Sequence, residues 1–295
     1  MATVLTKGTS LPTQIVEEIF NAVRGESALA KLSPNRPIPF NGITEMVFTM
    51  DHEASIVGEN GAKVNGGAAF TPVTIRPYKF EYGVRVSDEF LYGTEEYRMD
   101  VLRTFAEGAA RKFARALDIG ALHGLNPYSS SASAVIGTNN FDSAITTNLV
   151  LYDGSAPDDN IDLALSKVDG ANGIAMDGTM RAAISAMKVN GARKYPEFAF
   201  GATPAQMGDM TLAVNPTVGI GAVNHAYLGD WSGFRWGYAK EIPLEVIEYG
   251  NPDNDADAGD LKGHNQVYLR AEAYLGWSIL APSFFSAIGA TGATA

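Results

Sequence analysis

The sequence contains no cysteine, and this absence removes several kinds of chemistry. Without a thiol there is no disulfide framework, no thiolate metal site and no cysteine nucleophile. Long hydrophobic runs are also missing, since no stretch approaches the ~18 consecutive apolar residues of a membrane-spanning helix. The first residues lack the apolar core of a secretion signal. We therefore expect a protein with no membrane association and no signal peptide.

Charge is scarce and unbalanced. Charged residues make up 19% of the 295 residues, and 22 basic against 33 acidic side chains give a formal charge of −11. A protein that holds nucleic acid by neutralising phosphates needs a basic face, and this composition supplies no overall surplus of positive charge. The low share of charge indicates either that partners cover much of the surface or that Gly, Ser and Thr in loops replace charged residues.

Motifs of common catalytic and metal sites are absent as well. There is no Gly-x-Ser-x-Gly elbow, no Walker loop and no His-Glu-x-x-His. The four histidines lie far apart, without a second His or a Glu at ligand spacing, so we expect structural or surface roles for them. They are His52, His123, His225 and His264. The sequence predicts no enzymatic activity, no cofactor and no metal.

An acidic segment at residues 251–260 requires separate consideration. The spacing of Asp253, Asp255 and Asp257 begins like a calcium-binding loop, in which alternate carboxylates surround one cation. However, Ala258 occupies the position of the required glycine, and His264 occupies that of the bidentate glutamate. We therefore interpret the segment as a solvated loop.

The strongest periodic pattern spans residues 95–123. Apolar residues recur there every three or four positions, with Phe105, Phe113 and Leu117 on one face, which predicts an amphipathic helix with a buried stripe. Acidic residues at 95 and 96 favour the N-terminal end, and Gly124 favours termination. At 1.5 Å per residue the helix is roughly 43 Å long, which suits a structural backbone.

A long hairpin is predicted over residues 41–87. Apolar and polar side chains alternate in part over residues 43–57 and strictly over residues 78–86. Residues 58–67 form a turn-rich tip with four glycines. Pro72 and Pro77 exclude a central sheet position for the return limb. Because a free hairpin is marginally stable in water, it either lies on a neighbouring molecule or folds irregularly over its own domain.

The remaining patterns predict a mixed α/β region between the long helix and the C-terminus. Residues 1–12 are expected to form a mobile arm, residues 13–24 a short helix, and the proline-containing segment 31–41 an extended linker. Further helices are predicted at 161–168, capped by residues 158–160, and at 179–188. Strands are predicted, in β-α alternation, at 173–176, 210–214, 226–229, 234–238 and 244–247, and then at 266–273 and 277–280.

The order of these elements and several local phrases resemble the major capsid proteins of tailed bacteriophages, which have the HK97-type fold. The phrases are ASIVGENGAK at 54–63, VRVSDEFL at 84–91, ARALDIGALHG at 114–124, residues 179–188 with Asn190-Gly191, LGDW at 228–231, NQVYLRAE at 265–272 and LAPSFF at 280–285. Together they extend over roughly residues 12 to 290.

The resemblance implies an α+β shell subunit with four parts. These are an N-terminal arm with a short helix (1–40), an E-loop hairpin (41–87), a P-domain with the spine helix (88–140 plus 262–295) and an A-domain (141–261). Copies would assemble in the host cytoplasm into pentamers and hexamers. They would form the icosahedral head shell of a virion around double-stranded DNA, without sequence-specific binding. A portal and separate scaffolding or decoration proteins are the other implied partners.

The acid excess favours a shell that a motor fills with DNA, because condensation around a genome uses basic arms. Residues 1–25 contain only Lys7 and Arg24 as basic residues. Inter-subunit contacts are expected on the hairpin and in the acidic loop, at Glu59, Asn60, Lys63, Phe70, Tyr78, Phe80, Asp253, Asp255 and Asp257. The alternatives are an encapsulin-type nanocompartment with the same fold, another virion component, and a hydrolase with an unrecognised site.

Overall fold

A computed structural model of the chain describes residues 26–50, 54–63, 65–240 and 244–289. The predicted helix at 13–24 and His52 lie outside these residues. The helices are α1 (Ala28–Leu32), α2 (Glu89–Tyr92), α3 (Glu95–His123), α4 (Phe141–Ala144), α5 (Pro157–Leu165) and α6 (Gly178–Ala186). No helix of the described segments is long and apolar enough to cross a membrane.

The strands fall into two larger sheets and two small ribbons. They are β1 (Ile43–Met50), β2 (Ala68–Ile75), β3 (Pro77–Ser87), β4 (Leu149–Leu151), β5 (Gly173–Met176), β6 (Lys188–Val189), β7 (Ala192–Arg193), β8 (Gln206–Met207), β9 (Met210–Val214), β10 (Asn224–Gly229), β11 (Phe234–Lys240), β12 (Leu244–Ile247), β13 (Gln266–Ile279) and β14 (Phe285–Gly289). Short 3₁₀ turns connect several of them, including Pro216–Ala222.

The predicted helix over 95–123 is confirmed as α3. The Thr94 side chain accepts a hydrogen bond from the Tyr97 backbone N–H, and Gly124, at φ +66°, ends the helix in the left-handed conformation. Phe113 and Leu117 are buried on the predicted face. Tyr97 is 54% exposed, so the buried stripe begins one turn later than the periodicity indicates.

A four-stranded antiparallel sheet packs against α3. The long strand β13 lies at its centre, with β3 on one edge and β11 and β12 on the other. Alternate residues of β13 from Val267 to Ile279 are buried on the side of α3. Helix α3 approaches the sheet so closely that a Cβ on Gly120 would stand 2.8 Å from the Trp277 ring. The sheet and α3 therefore share one core.

The hairpin prediction is wrong for its return limb. The strand that pairs with β1 is β2, in the register Ile43↔Ile75 to Met50↔Ala68. Residues 78–86 belong to β3, which pairs with β13 over eleven residues. Alternating apolar and polar residues predict a half-buried strand, but they do not predict which strand it pairs with. The apolar face of β3 packs against the core that includes α3. Pro77 stands at the first residue of β3, on an edge strand, where its missing N–H is tolerated.

The second sheet has six strands in the order β4-β14-β10-β5-β9-β8 and mixes parallel with antiparallel pairs. It contains β14, so the C-terminal strand does not lie in the sheet of β13, with which the expected P-domain grouped it. The predicted strand 173–176 is confirmed as β5, and the strands between 210 and 247 are confirmed. The connections from β9 to β10 and from β10 to β11 contain 3₁₀ turns rather than the expected α-helices.

Two further boundaries differ from the prediction. Helix α5 begins at Pro157 with Ala156 as the N-cap, so Asp158 and Asp159 lie in its first turn, where the helix dipole favours negative charge. The two strands expected at 266–273 and 277–280 are one continuous strand, β13. The segment predicted as an extended linker, 31–41, is extended only in part. Lys31 and Leu32 end helix α1. The N–H of Ile38 then donates to the Tyr238 carbonyl beside β11.

A buried carboxylate joins three parts of the chain. Asp118 of α3 is fully buried and accepts hydrogen bonds from the hydroxyls of Ser27 (2.6 Å) and Thr217 (2.7 Å). The backbone N–H groups of Ala28 and Leu29, at the start of α1, donate to it at 2.9 and 3.2 Å. Burial raises the pKa of Asp118, and the four donors oppose this shift because they favour the charged form.

We predict that Phe113→Asp abolishes soluble folding of the subunit. An unpaired charge in this core costs several kcal/mol, out of a total stability of about 5–15 kcal/mol. The control is Thr104→Asp, on the exposed side of the same helix, which should leave folding unchanged. The soluble fraction and circular dichroism measure the effect, and a soluble, folded Phe113→Asp subunit would contradict the buried face of α3.

Asp118→Asn should lower the free energy of unfolding by about 2–4 kcal/mol, because the amide turns an NH₂ group toward donors and leaves them unpaired. Urea denaturation measures the loss. The matched change Asp100→Asn, on the exposed face of α3, is expected to shift the free energy by less than about 0.5 kcal/mol. Equal unfolding midpoints for the two variants would show that the Asp118 network is not stabilising.

Candidate inter-subunit surface

Strands β1 and β2 form a two-stranded antiparallel ribbon, which we call the arm (residues 43–75). One face of the arm is apolar and exposed to solvent. Phe48 and Phe70 pair across the strands with ring centroids 4.8 Å apart, and they are 50% and 63% exposed. Met46 and Met50 flank them on the same face and are 60% and 75% exposed. No described residue outside the arm covers these side chains.

The root of the arm is fixed to the body of the subunit. Ile75 is fully buried, and Glu45 of β1 forms an ion pair with Arg235 of β11. Gly42 adopts φ +82°, and a Cβ there would stand 2.7 Å from the Ile75 carbonyl oxygen, so the chain turns tightly into β1. The arm therefore leaves the body in a defined direction.

The tip of the arm carries three of the predicted contact residues. Glu59, Asn60 and Lys63 are all exposed. The Gly61 N–H donates to the Gly58 carbonyl at 2.9 Å, and Asn60 occupies the left-handed region at φ +66°, which closes a β-turn. The fourth residue, Phe70, belongs to the apolar face described above. The structure thus places four of the predicted residues on the arm.

The expectation that Tyr78 and Phe80 lie on the hairpin is wrong. Both belong to β3 and face α3, where Tyr78 packs on Trp277 with ring centroids 4.5 Å apart. The side-chain amide of Asn139 donates to the Tyr78 hydroxyl at 3.0 Å. These two side chains complete the subunit core. Pro77, directly before them, is the sequence signal that separates this strand from the arm.

The acidic loop at 251–260 folds around a single cation, the guanidinium of Arg85. Arg85 Nε donates to the Asp253 carboxylate at 2.8 Å, and Nη2 donates to Asn251 Oδ1 at 2.7 Å. The backbone carbonyls of Ala258 and Gly259 accept from the same guanidinium at 3.3 and 3.0 Å. Because Arg85 lies in another strand, the sequence of the loop carries no sign of this contact.

Arg85 occupies the place that the aspartate spacing suggested for calcium. Its hydrogen bond to Asp253 is the main reason that the pKa of this carboxyl falls to about 2. Backbone N–H groups of residues 257 and 258 donate to Asp255 and lower its pKa. Asp255 and Asp257 are exposed. Within the described ranges no group of His, Asp and Glu is arranged to hold a metal ion.

The arm and the acidic loop lie at opposite ends of β3. The arm joins β3 through Arg76, whereas the loop is bound to Arg85, eight residues beyond Pro77. At about 3.3 Å per residue these two attachment points are roughly 30 Å apart. The predicted contact residues therefore belong to two separate surfaces.

Two histidines form pairs with aspartates that the sequence spacing does not reveal. His123 Nδ1 lies 2.8 Å from Asp142 Oδ2, and its Nε2 lies 3.0 Å from the Thr217 carbonyl oxygen. His225 Nδ1 lies 2.8 Å from Asp177, which also caps α6. In the described part of the chain no serine or threonine hydroxyl bonds to either imidazole. The pairs therefore brace the fold without forming a nucleophile–base arrangement.

Comparisons with known proteins agree with this architecture. The model of the phage capsid family matches residues 7–288. A solved chain from Mycobacterium phage Ogopogo is 31% identical, with a TM-score of 0.75, and the match covers 90% of this chain and 92% of that chain. A chain from Gordonia phage Cozz is 25% identical, with a TM-score of 0.72 and coverage of 90% and 87%.

A more distant match shows the fold alone. It is a structure described as the capsid of a native GTA particle computed with C5 symmetry, at 12% identity and a TM-score of 0.61, covering 98% of this chain and 94% of that chain. A search of curated proteins gives no match. The expected α+β capsid fold is confirmed. Since the family model spans most of the sequence and solved phage chains share its fold, this protein belongs to the phage capsid family and is a major capsid protein of the virion shell.

Proposed function

We propose that the subunits assemble into pentamers and hexamers that close an icosahedral shell around double-stranded DNA, with the arm of each subunit lying on a neighbour. The exposed apolar face of the arm carries this proposal. A two-stranded ribbon is marginally stable in water by itself. Covering half of a Phe side chain, about 100 Å², is worth about 2.5 kcal/mol, so the face gains its stability from a partner.

The parts expected from the resemblance are assigned accordingly. The arm, residues 43–75, serves as the E-loop, which is shorter than the predicted 41–87 because β3 belongs to the body. Helix α3 serves as the spine helix of the P-domain, and the region around the six-stranded sheet as the A-domain. Residues 1–25 of the expected N-terminal arm lie outside the described residues.

The subunit acts as a structural protein without enzymatic activity. Membership of the phage capsid family supports this role. Assembly takes place in the host cytoplasm, with a portal and separate scaffolding or decoration proteins as further partners. The shell encloses its DNA without reading sequence and has no membrane partner.

The acidic loop forms a second contact surface in this proposal. Arg85 holds the loop in one shape, in which Asp255 and Asp257 are exposed. A preformed loop loses less conformational entropy on binding than a mobile one, so the Arg85 contact favours association with a neighbour or a decoration protein.

We predict that Phe48→Ser combined with Phe70→Ser blocks particle closure and leaves the subunit folded. The two changes remove on the order of 5 kcal/mol of apolar burial from each arm contact, and both side chains are outside the core. Electron microscopy and sedimentation measure closed particles, and the melting temperature reports the fold.

The control for this variant is Tyr128→Ser combined with Val135→Ser. These residues are 98% and 79% exposed in the loop after α3, so the control removes a similar amount of exposed apolar surface outside the arm. It should assemble like the wild type. Closed particles of normal stability from the Phe48/Phe70 variant would refute the role of the arm.

The acidic loop should stay closed at pH 4 and open as the pH falls toward about 2. The ordinary pKa of 3.8 is lowered to about 2 in the folded subunit, so the stabilisation by the Arg85–Asp253 pair is present above pH 3.8 and is lost as Asp253 becomes protonated. Hydrogen exchange of residues 251–260, relative to β13, follows the opening. In Asp253→Asn the loop should already exchange fast at pH 5, and equal exchange in both proteins at that pH would contradict the Arg85 clamp.

A further inference from the structure

The two histidine–aspartate pairs differ in the number of protons that their geometry requires. In both pairs the histidine Nδ1 lies 2.8 Å from an aspartate oxygen. The pair of His225 with Asp177 needs one proton, on Nδ1, because within the described segments Nε2 of His225 has no hydrogen-bond partner. In the pair of His123 with Asp142, Nε2 also faces an acceptor, the Thr217 carbonyl oxygen at 3.0 Å. This second ring therefore lies between two oxygens.

Asp142 accepts hydrogen bonds at both of its oxygens. Its Oδ1 accepts from the Tyr227 hydroxyl and, at 2.7 Å, from the side-chain amide of Asn224, while Oδ2 faces His123. An ionised carboxylate accepts at both oxygens, whereas a protonated one donates from one of them. Burial raises the pKa of the Tyr227 phenol well above its ordinary value, so this hydroxyl stays a donor. The proton between His123 and Asp142 accordingly lies on the ring nitrogen.

The contacts of His123 require a second proton, on Nε2. A backbone carbonyl can only accept, so the bond to Thr217 forms when Nε2 carries a hydrogen. The ring is then an imidazolium. It belongs to the last residue of α3, where the helix dipole favours a cation. Its side chain is 2% exposed, and the carboxylate of Asp142 supplies the counter-charge that a buried cation needs.

Thr217 connects this ring to the buried carboxylate of Asp118. It lies in the 3₁₀ turn Pro216–Ala222 and is fully buried. Its hydroxyl donates to Asp118 at 2.7 Å, and its carbonyl oxygen faces His123. Since Asp118 and His123 both belong to α3, the helix holds the turn at two atoms of one residue. The turn leads directly into β10 of the six-stranded sheet.

We propose that the second proton of His123 is a pH-sensitive lock between α3 and the turn that leads into the six-stranded sheet. With the proton bound, the ring donates to Asp142 and to Thr217 at once. When the pH rises and the proton leaves, Nδ1 keeps its hydrogen because a carboxylate is the stronger acceptor, and the bond to Thr217 is lost. All of these contacts lie within one subunit, so the inference goes beyond the proposed function and does not depend on it.

The direction of the pH effect separates His123 from the other titratable groups around it. These groups are Asp142 on α4, Tyr227 on β10 and, through Thr217, Asp118 on α3. Protonation of either aspartate removes acceptors and loosens the site as the pH falls. Loss of the histidine proton loosens the turn as the pH rises, because the folded form binds a proton that the loosened form does not hold.

The test measures hydrogen exchange in the turn, residues 216–222, in unassembled full-length subunits between about pH 5 and pH 9, a span that contains the charge change of histidine. Rates are normalised to those of an unstructured chain at the same pH. Protection of the turn should fall about tenfold as the pH rises, as expected for one lost hydrogen bond to a charged group. Protection of β13 should stay constant. Long-range ¹H–¹⁵N spectra of the same samples follow the two ring nitrogens, and His123→Gln identifies their signals.

Asp142→Asn should make protection of the turn independent of pH. The asparagine oxygen can accept from Tyr227 and Asn224 as the carboxylate does, and its NH₂ group can donate to Nδ1 of a neutral His123. The hydrogen of this neutral ring then lies on Nε2 and maintains the bond to Thr217 at every pH. The variant therefore keeps all four contacts without the second proton, so it should fold.

His225→Gln is the matched control, because the other pair adjoins the same turn. A Cβ on Gly219 would stand 2.5 Å from the Asp177 carboxylate. This variant should keep the wild-type pH dependence. Its loss there, or its persistence in Asp142→Asn, would assign the effect to another group and overturn the proposal. A flat wild-type profile, a fall in protection with decreasing pH, or spectra in which His123 holds a single proton at pH 5 would overturn it as well.

Discussion

The carboxylate of Asp118 is the interaction on which the arrangement of the subunit depends. A charge in a dry core is tolerated only where donors surround it, and here the donors come from α1 and from the turn before β10. Asp118 therefore brings α3 together with α1 and with the turn that leads into the six-stranded sheet. The core around that point is continuous from α3 through both sheets. It gives the subunit a rigid centre from which the exposed surfaces are presented in fixed directions.

Those surfaces differ from the centre, because in the single subunit they leave side chains exposed to solvent. The arm exposes aromatic and Met side chains along a ribbon. The acidic loop is different, since Arg85 satisfies it internally and leaves only part of its charge outward. A low share of charged residues fits such a molecule, in which we propose that a neighbour covers the apolar face of the arm.

Sequence patterns predict elements that are long or that depend only on neighbouring residues. They do not predict strand pairing or side-chain contacts between segments that are far apart in the chain. Helix α3 was predictable because 29 residues keep one period between a capping Thr94 and Gly124, and β5 because four buried residues stand together. The partner of β3 was not predictable, since its alternation is satisfied equally by β1 and by β13. The loop around Arg85 and the pair of His123 with Asp142 depend on residues far apart in the chain, so neither has a local signature. The exposed tip of the arm was predictable because a glycine-rich turn is visible within a short stretch of sequence.

The long pairing of β3 with β13 has a mechanical consequence. The arm continues through Arg76 directly into β3, so a neighbour that pulls on the arm pulls along the axis of that strand. Eleven residue pairs join β3 to β13, and a force along the strand loads their hydrogen bonds together, in shear, instead of opening them one after another. Tension between subunits, of the kind that a pressurised container generates in its wall, is thus carried into the centre of the sheet. In the proposed shell, the β3–β13 ladder that completes the core of one subunit also anchors the arm that lies on the next subunit.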